Sequence, residues 1–251
     1  YILYYRFMSL HKVNIENRSL KTSLPKPVIR IDVVSDVVCP WCYIGKRRLE
    51  SAIAEASDKY TFEVVYHPFE LNPSTPASGV NQREHLAEKF GGDERYQSIT
   101  NHTSSVARQE GLEMNFDRQP VLPNTRKAHA LIFAAGNAGK QLPVTEAFFK
   151  AYFTDGVDLS KDENLIDIAV KAGLDRAVAE TAIGSDALLQ SIATQEHEMQ
   201  KLGISGVPFY ILNNEYGVSG AQASATFVKV FDELNKSAST AGATCSADGN
   251  C

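Results

Sequence analysis

The sequence predicts an α/β fold whose core is divided between two segments by a long helical stretch. Three observations carry this reading: a strand–helix–strand pattern over residues 28–71, helical patterns alone from about 73 to 204, and a return of strand character at 208–219 followed by an amphipathic helix. Residues 28–35, VIRIDVVS, are β-branched and partly alternating, as a strand requires. A helix opens at Cys39-x-x-Cys42 and runs to about Ser57, with Cys42, Gly45, Leu49, Ile53 and Ala56 at helical spacing forming its buried stripe. Residues 61–71, TFEVVYHPFEL, form the second strand, and Pro68 marks an edge position or a break near its end. A strand–helix–strand unit makes the two strands parallel neighbours.

In the middle segment, Ala128, Leu131, Ile132 and Ala135 make one apolar stripe, and Leu165, Ile168, Ala169 and Ala172 another. Ser160 to Glu163 fits a capping box that opens the second of these helices, and Gly173 falls where a glycine stop belongs. Asn81 to Glu84 and Ser185 are further helix starts, and Pro143 suits a first helical position. Leu188, Ile192 and Met199 line a last long helix that ends near Gly203. Pro208–Leu212 and Tyr216–Ser219 then read as a hairpin turned by Asn213-Asn214. A final helix spans about Ala223 to Asn235, with Phe227, Val230, Phe231 and Leu234 inward. The chain divides into an N-terminal extension (1–27), a first core segment (28–72), a helical insertion (73–204), a second core segment (205–236) and a small, polar tail (237–251) expected to be flexible.

Of the 251 residues, 43% are hydrophobic and 22% charged, the balance of an ordinary globular protein. The net charge of −5 provides no basic field to recruit nucleic acid or an anionic membrane. No run approaches the roughly 18 apolar residues of a membrane span. The first ten residues lack the basic start, apolar run and cleavage site of a secretory signal, and Met8 is a candidate natural start. With four cysteines and no disulfide framework, a cytoplasmic setting is expected.

The four cysteines form two local pairs, Cys39 with Cys42 and Cys245 with Cys251, which points to redox or metal chemistry before cross-linking. With Cys39 as N-cap, Pro40 takes the first helical position, where its missing N–H costs nothing. The sulfur then faces the free amides of Trp41 and Cys42 and the positive end of the helix dipole, both of which favour thiolate over thiol. Cys42 lies one turn on along the same face, within disulfide reach, so the pair can close and reopen with little backbone movement. As the deeper of the two, Cys42 is the resolving thiol. Electrons pass between sulfurs, so no cofactor is called for. Structural zinc takes four ligands, and neither a second C-x2-C nor an H-x3-H is present. The histidines at 67, 85, 102, 129 and 197 are scattered singly. Before the hairpin, Gly203-Ile-Ser-Gly-Val-Pro208 invites a cis Val207–Pro208 bond, but the pattern alone leaves the isomer open.

SDVVCPWCYIGKRRLE, HPFELNP, PNTRKAHAL, AYFTDGVDLS and GISGVPFYILNNEYGVSGAQ together resemble the DsbA family of thioredoxin-like proteins, and within it the FrnE-type branch, over about residues 28–236. The resemblance implies a thioredoxin-like fold split by a large all-helical insertion. It also implies Cys39 as the attacking thiolate, Cys42 as the resolving thiol and Pro208 as a cis proline facing them. Val207 would then bind a substrate chain through its backbone, with Pro40 and Trp41 beside it. Kappa-class glutathione transferases and 2-hydroxychromene-2-carboxylate isomerases share the split architecture but typically carry serine at the active position. The Pro-Trp dipeptide here departs from the Pro-His of DsbA itself, which removes one stabilising partner of the thiolate.

The leading expectation is a thiol–disulfide oxidoreductase acting on protein or small-molecule thiols and disulfides, glutathione among them. The alternatives are a glutathione-dependent transferase or isomerase using Cys39 alone, and a zinc-binding module using all four cysteines. Asn124 and His129 are candidates to line a substrate groove roofed by the insertion, against the plainer readings of a helix cap and a packed histidine. Lys46, Arg47 and Arg48 could lend a positive field, though a solvated helix face is the preferred account. In the tail, the Asp248-Gly249 turn can bring Cys245 and Cys251 together. Some FrnE-type proteins carry a second pair near the C-terminus, so a disulfide exchanging electrons with Cys39–Cys42 is expected.

Overall fold

β1 (Val28–Ser35) is buried continuously from Ile31 onward, because structure covers both of its faces. It belongs to a computed structural model that describes residues 26–242, with side chains through 236; Cys245 and Cys251 lie outside the described residues. α1 (Pro40–Ala56) crosses over to β2 (Thr61–Pro68), which pairs with β1 in parallel from Val28 opposite Thr61 to Ser35 opposite Pro68. The second strand stops at Pro68, short of the expected Leu71, because a proline cannot continue the ladder. Only Phe69 N still reaches Ser35 O, at 3.1 Å.

The insertion follows with a two-residue strand β3 (Val80–Asn81), α2 (Gln82–Phe90), α3 (Asp93–Gln109), a short 3₁₀ turn (Phe116–Arg118), and β4 (Val121–Leu122), which pairs antiparallel with β3. It continues as α4 (Arg126–Asn137), α5 (Gln141–Phe153), α6 (Asp162–Lys171), α7 (Arg176–Gly184) and α8 (Asp186–Lys201). Asn81 and Ser185 cap α2 and α8 as expected, accepting from Glu84 N and Leu188 N at 3.1 and 3.2 Å. Gly173 ends α6 at φ +101°, with Leu174 N on Ala169 O and Gly173 N on Val170 O.

Two expected helix starts fall elsewhere. The N-cap of α6 is Lys161, and Ser160 is held by the Asp158 carboxylate in a preceding turn, so no capping box forms. α5 begins two residues before Pro143, which is tolerated because backbone amides throughout the first turn have no helical partner.

β5 (Phe209–Leu212) and β6 (Tyr216–Ser219) form the hairpin, with Asn213 and Asn214 both at positive φ in the turn. β5 lies antiparallel against β1, so the sheet order is β2-β1-β5-β6 and β2 is an edge, as Pro68 implied. α9 (Ser224–Gly242) packs along α1 and buries Phe227, Phe231 and Leu234. Its backbone runs six residues into the segment expected to be a flexible tail, ending at Gly242.

Two contacts fix α1 on the rest of the molecule. The first is Gly45, where an added Cβ would fall 2.2 Å from Tyr210 Oη and 3.2 Å from Pro208 Cγ. Tyr210 is fully buried and cannot swing aside, so the missing side chain lets the helix seat on β5. Gly45→Ala is expected to lower stability by about 1–2 kcal/mol, overpacking outweighing the gain in helix propensity. Thermal unfolding measures this, and an unchanged or higher midpoint would show that the contact yields.

The second contact is an ion-pair network. Lys46 is only 5% exposed and sits 2.6 Å from Glu146 on α5, which also binds Arg47 and accepts from Tyr43 Oη at 3.0 Å. Arg48 reaches Glu110 at 2.6 Å and the Ala221 carbonyl at 2.7 Å. The basic run is therefore neither a solvated face nor a free field: its charges are spent holding α1 to the insertion and to the loop after β6. Burial pushes the Glu146 carboxyl up, but Arg47 and Lys46 outweigh it and hold it below its ordinary value.

Candidate active site

Cys39 takes the N-cap position of α1 with extended backbone angles, and Pro40 opens the helix. The Cys39 carbonyl accepts from Cys42 N at 3.0 Å and Tyr43 N at 3.4 Å. Its sulfur does not cap the helix; it lies 3.6 Å from the Val207 carbonyl and donates to it. Of the two amides expected to face the sulfur, that of Cys42 is taken by the Cys39 carbonyl, and the thiol finds its acceptor in Val207 O instead. The Val207–Pro208 bond is cis.

Cys42 is 2% exposed and lies one turn deeper. Burial, then the hydrogen bond and charge of Cys39, push its thiol well above the ordinary cysteine value, against a smaller opposing pull from Ser35 and Asp36. Both cysteines are free thiols. The two sulfurs are thus unequal: one stands beside a backbone acceptor at a cavity wall, and the other is held protonated behind it.

The segment between β1 and α1 is fixed by Asp36, which is fully buried. Its carboxylate accepts from Leu71 N at 2.8 Å and Val38 N at 3.5 Å, and its carbonyl accepts from Cys39 N at 3.0 Å. His129 Nε2 lies 3.1 Å from Phe69 O and 3.4 Å from the Asp36 carboxylate. Beyond it, Glu70 binds Arg126 at 2.8 Å, and Glu70 N donates to Glu196 at 3.1 Å. Burial raises the Glu196 carboxyl above its ordinary value. Sequence reasoning missed Asp36, Glu70 and Glu196; the available signal was an acidic residue set in the apolar run before Cys39.

A cavity of ≈ 370 Å³ opens beside Cys39, walled by Cys39, Pro40, Trp41 and Val207 on the core side and by α2, α3 and the end of α5 on the other. Four of the expected site residues therefore meet at one place. Pro208 sits behind Val207, against α1 near Gly45. Asn124 and His129 do not line this cavity. Asn124 ties the start of α4 to the loop between β2 and β3, donating to Thr75 O at 3.2 Å and accepting from Arg126 N at 3.1 Å. His129 is packed behind the site at Asp36. Larger hollows of ≈ 450 and ≈ 610 Å³ occur beside β2 and beside Lys161, and neither is lined by a cysteine. Among the described residues no three His, Cys, Asp or Glu side chains gather as a metal site, and no helix is long and apolar enough to cross a membrane.

Residues 30–232 match the family described as DSBA-like thioredoxin domain. The crystal structure of a probable DsbA oxidoreductase from Streptomyces coelicolor is similar at a TM-score of 0.75 and 31% identity, covering 82% of this chain and 89% of that one. The uncharacterized protein YwbO of Bacillus subtilis is 26% identical over 212 residues, 83% of this chain and 98% of its own. The cytosolic disulfide reductase DsbM from Pseudomonas aeruginosa, in its structure with GSH, shares the fold at a TM-score of 0.54 and 20% identity over 76% of this chain and 89% of that one.

Proposed function

We infer the function from one premise: this chain belongs to the DSBA-like thioredoxin domain family. Within that family we propose that it is a thiol–disulfide oxidoreductase with Cys39 as nucleophile and Cys42 as resolving thiol. The observation that carries the proposal is the inequality of the two sulfurs: both residues are buried, but Cys39 lines a cavity whereas Cys42 does not and has its thiol pushed up.

In the reducing direction, the Cys39 thiolate attacks a substrate disulfide, forming a mixed disulfide and releasing one thiolate. Cys42 loses its proton and attacks the Cys39 sulfur, releasing the second thiolate and leaving Cys39–Cys42 oxidised. Two electrons have passed from the protein pair to the substrate. The reverse sequence delivers a disulfide to a dithiol. The position of Cys39 at the positive end of the α1 dipole favours its thiolate as it forms and leaves. Val207 offers its backbone beside the reacting sulfur, the arrangement that binds an extended substrate chain, with Pro40 and Trp41 flanking it. The five sequence blocks support a place in the FrnE-type branch. A cytosolic disulfide reductase of this fold, solved with GSH, is in keeping with a cytosolic setting and with glutathione among the thiols exchanged. We extend the scheme to Cys245 and Cys251 as a second pair that exchanges with the first.

The test is titration of the reduced full chain against glutathione redox buffers, with the Cys39–Cys42 linkage mapped by mass spectrometry. A Cys39–Cys42 disulfide forming reversibly is expected, and a pair that never links would refute the reading. The buried, raised Cys42 thiol also sets a pH dependence. Thiolate is the nucleophile and its fraction grows with pH below the thiol's own value, so closure should accelerate about tenfold per pH unit across neutrality. Stopped-flow release of glutathione from the Cys39 mixed disulfide reads this directly, and a flat profile would remove Cys42 from the resolving step.

A further inference from the structure

The cavity beside Cys39 has a wall that disulfide exchange does not itself require. Among the described residues its one charged lining side chain is Lys89, an exposed residue whose ammonium donates to Asn72 Oδ1 at 3.0 Å. Apolar and aromatic side chains form most of the remainder, among them Trp41, Leu86, Phe90, Ile99 and Phe116. The volume of ≈ 370 Å³ is that of a small-molecule site.

One buried polar relay reaches this wall. Tyr96 Oη donates to Gln82 Oε1 at 3.0 Å, and Gln82 Nε2 donates to Gln119 Oε1 at 3.3 Å. The relay ends at Gln119 Nε2, a buried donor with no partner on a residue only 4% exposed. Thr100 and Thr103, also on the wall, spend their hydroxyls on backbone carbonyls of their own helix. An unpaired buried amide is costly unless something accepts from it, and a few placed polar groups in an apolar cavity are what orient a ligand.

We propose that this cavity selects the substrate: a small, uncharged aromatic disulfide whose ring enters between Trp41 and the insertion helices and whose carbonyl oxygen accepts from Gln119 Nε2. This rests on the oxidoreductase reading above and names its substrate class. Glutathione disulfide, with its several charges, meets a single charged side chain, Lys89, on this wall. The electron balance is that of the exchange already given: the aryl disulfide is reduced to two aryl thiolates as Cys39 and Cys42 become a disulfide, and the thiol protons pass to solvent.

The experiment follows single-turnover oxidation of pre-reduced full chain by bis(4-acetylphenyl) disulfide, bis(4-ethylphenyl) disulfide and oxidised glutathione. Each variant is compared with wild type on the same compound, so leaving-group differences cancel. Gln119→Leu should lower the second-order rate constant for the acetyl compound about fivefold to tenfold, the worth of one hydrogen bond, and change that for the ethyl compound less than about twofold. Ile99→Trp, which fills the cavity from the half-exposed face of α3, should lower both aryl rate constants about tenfold or more and leave oxidised glutathione unchanged. Trp41 is the single tryptophan of the chain. Its emission should therefore also report saturable binding of the unreactive bis(4-acetylphenyl) sulfide to the wild type, weakened in Gln119→Leu. Oxidation by glutathione disulfide through Cys39, with neither variant selective against the aryl compounds, overturns the inference and leaves the oxidoreductase reading standing. No exchange with any of the three disulfides overturns both.

Discussion

Cys39→Ser is expected to reduce disulfide exchange by roughly three orders of magnitude or more, the scale on which loss of an essential nucleophile registers. Cys42→Ser should fail differently. The Cys39 sulfur at the cavity wall still attacks, but the deeper thiol that would release the product is gone, so a covalent Cys39 adduct accumulates. The two variants are distinguished by intact-protein mass after mixing with a model disulfide. An adduct on Cys42 in the Cys39→Ser protein, or turnover that survives Cys42→Ser, would contradict the roles drawn from the 2% exposure of Cys42 and the cavity position of Cys39. The second outcome would favour a transferase or isomerase using Cys39 alone.

Phe231→Ala carries the largest stability effect expected. The ring is fully buried on α9, with its centroid 4.8 Å from that of Phe62 on β2. Removing it leaves a cavity where the last helix meets the edge strand, at a cost of about 3–5 kcal/mol. For a chain of this size that corresponds to a fall of roughly 6–20 °C in the unfolding midpoint. Calorimetry would show it, and a fall below about 2 °C would mean that α9 adds little to the core.

What the sequence disclosed follows the range of the interactions involved. β1 and α1 were legible because a run of mostly β-branched residues and a regular helical stripe are local patterns. The redox pair was legible because i and i+3 on a helix fix the geometry of two sulfurs without reference to anything distant. β3 and β4 were not, since two residues are too few to show an alternation. The start of α6 was misplaced because a capping-box spelling at Ser160 was overridden by a turn built on Asp158. Lys46 read as a surface lysine because its partner, Glu146, is a hundred residues away. For the same reason Asn124 and His129 could be named as groove candidates but not placed. The Asp36 cluster and the Tyr96–Gln82–Gln119 relay each join residues from separate elements, and no short motif spells them.

The order β2-β1-β5-β6 has a consequence during synthesis. β1 and α1 leave the ribosome early, yet the strand that flanks β1 on its other side begins only at Phe209, after the whole insertion has been made. At 5–20 residues per second, that interval is on the order of ten seconds. Throughout it the nascent chain carries Cys39 and Cys42 without Val207 beside them, without α9 against α1, and with one edge of β1 unpaired. The dithiol therefore emerges as an unguarded pair and acquires its shielding only when translation is nearly complete. A ribosome stalled before Phe209 would expose both sulfurs to whatever thiol chemistry the surroundings hold.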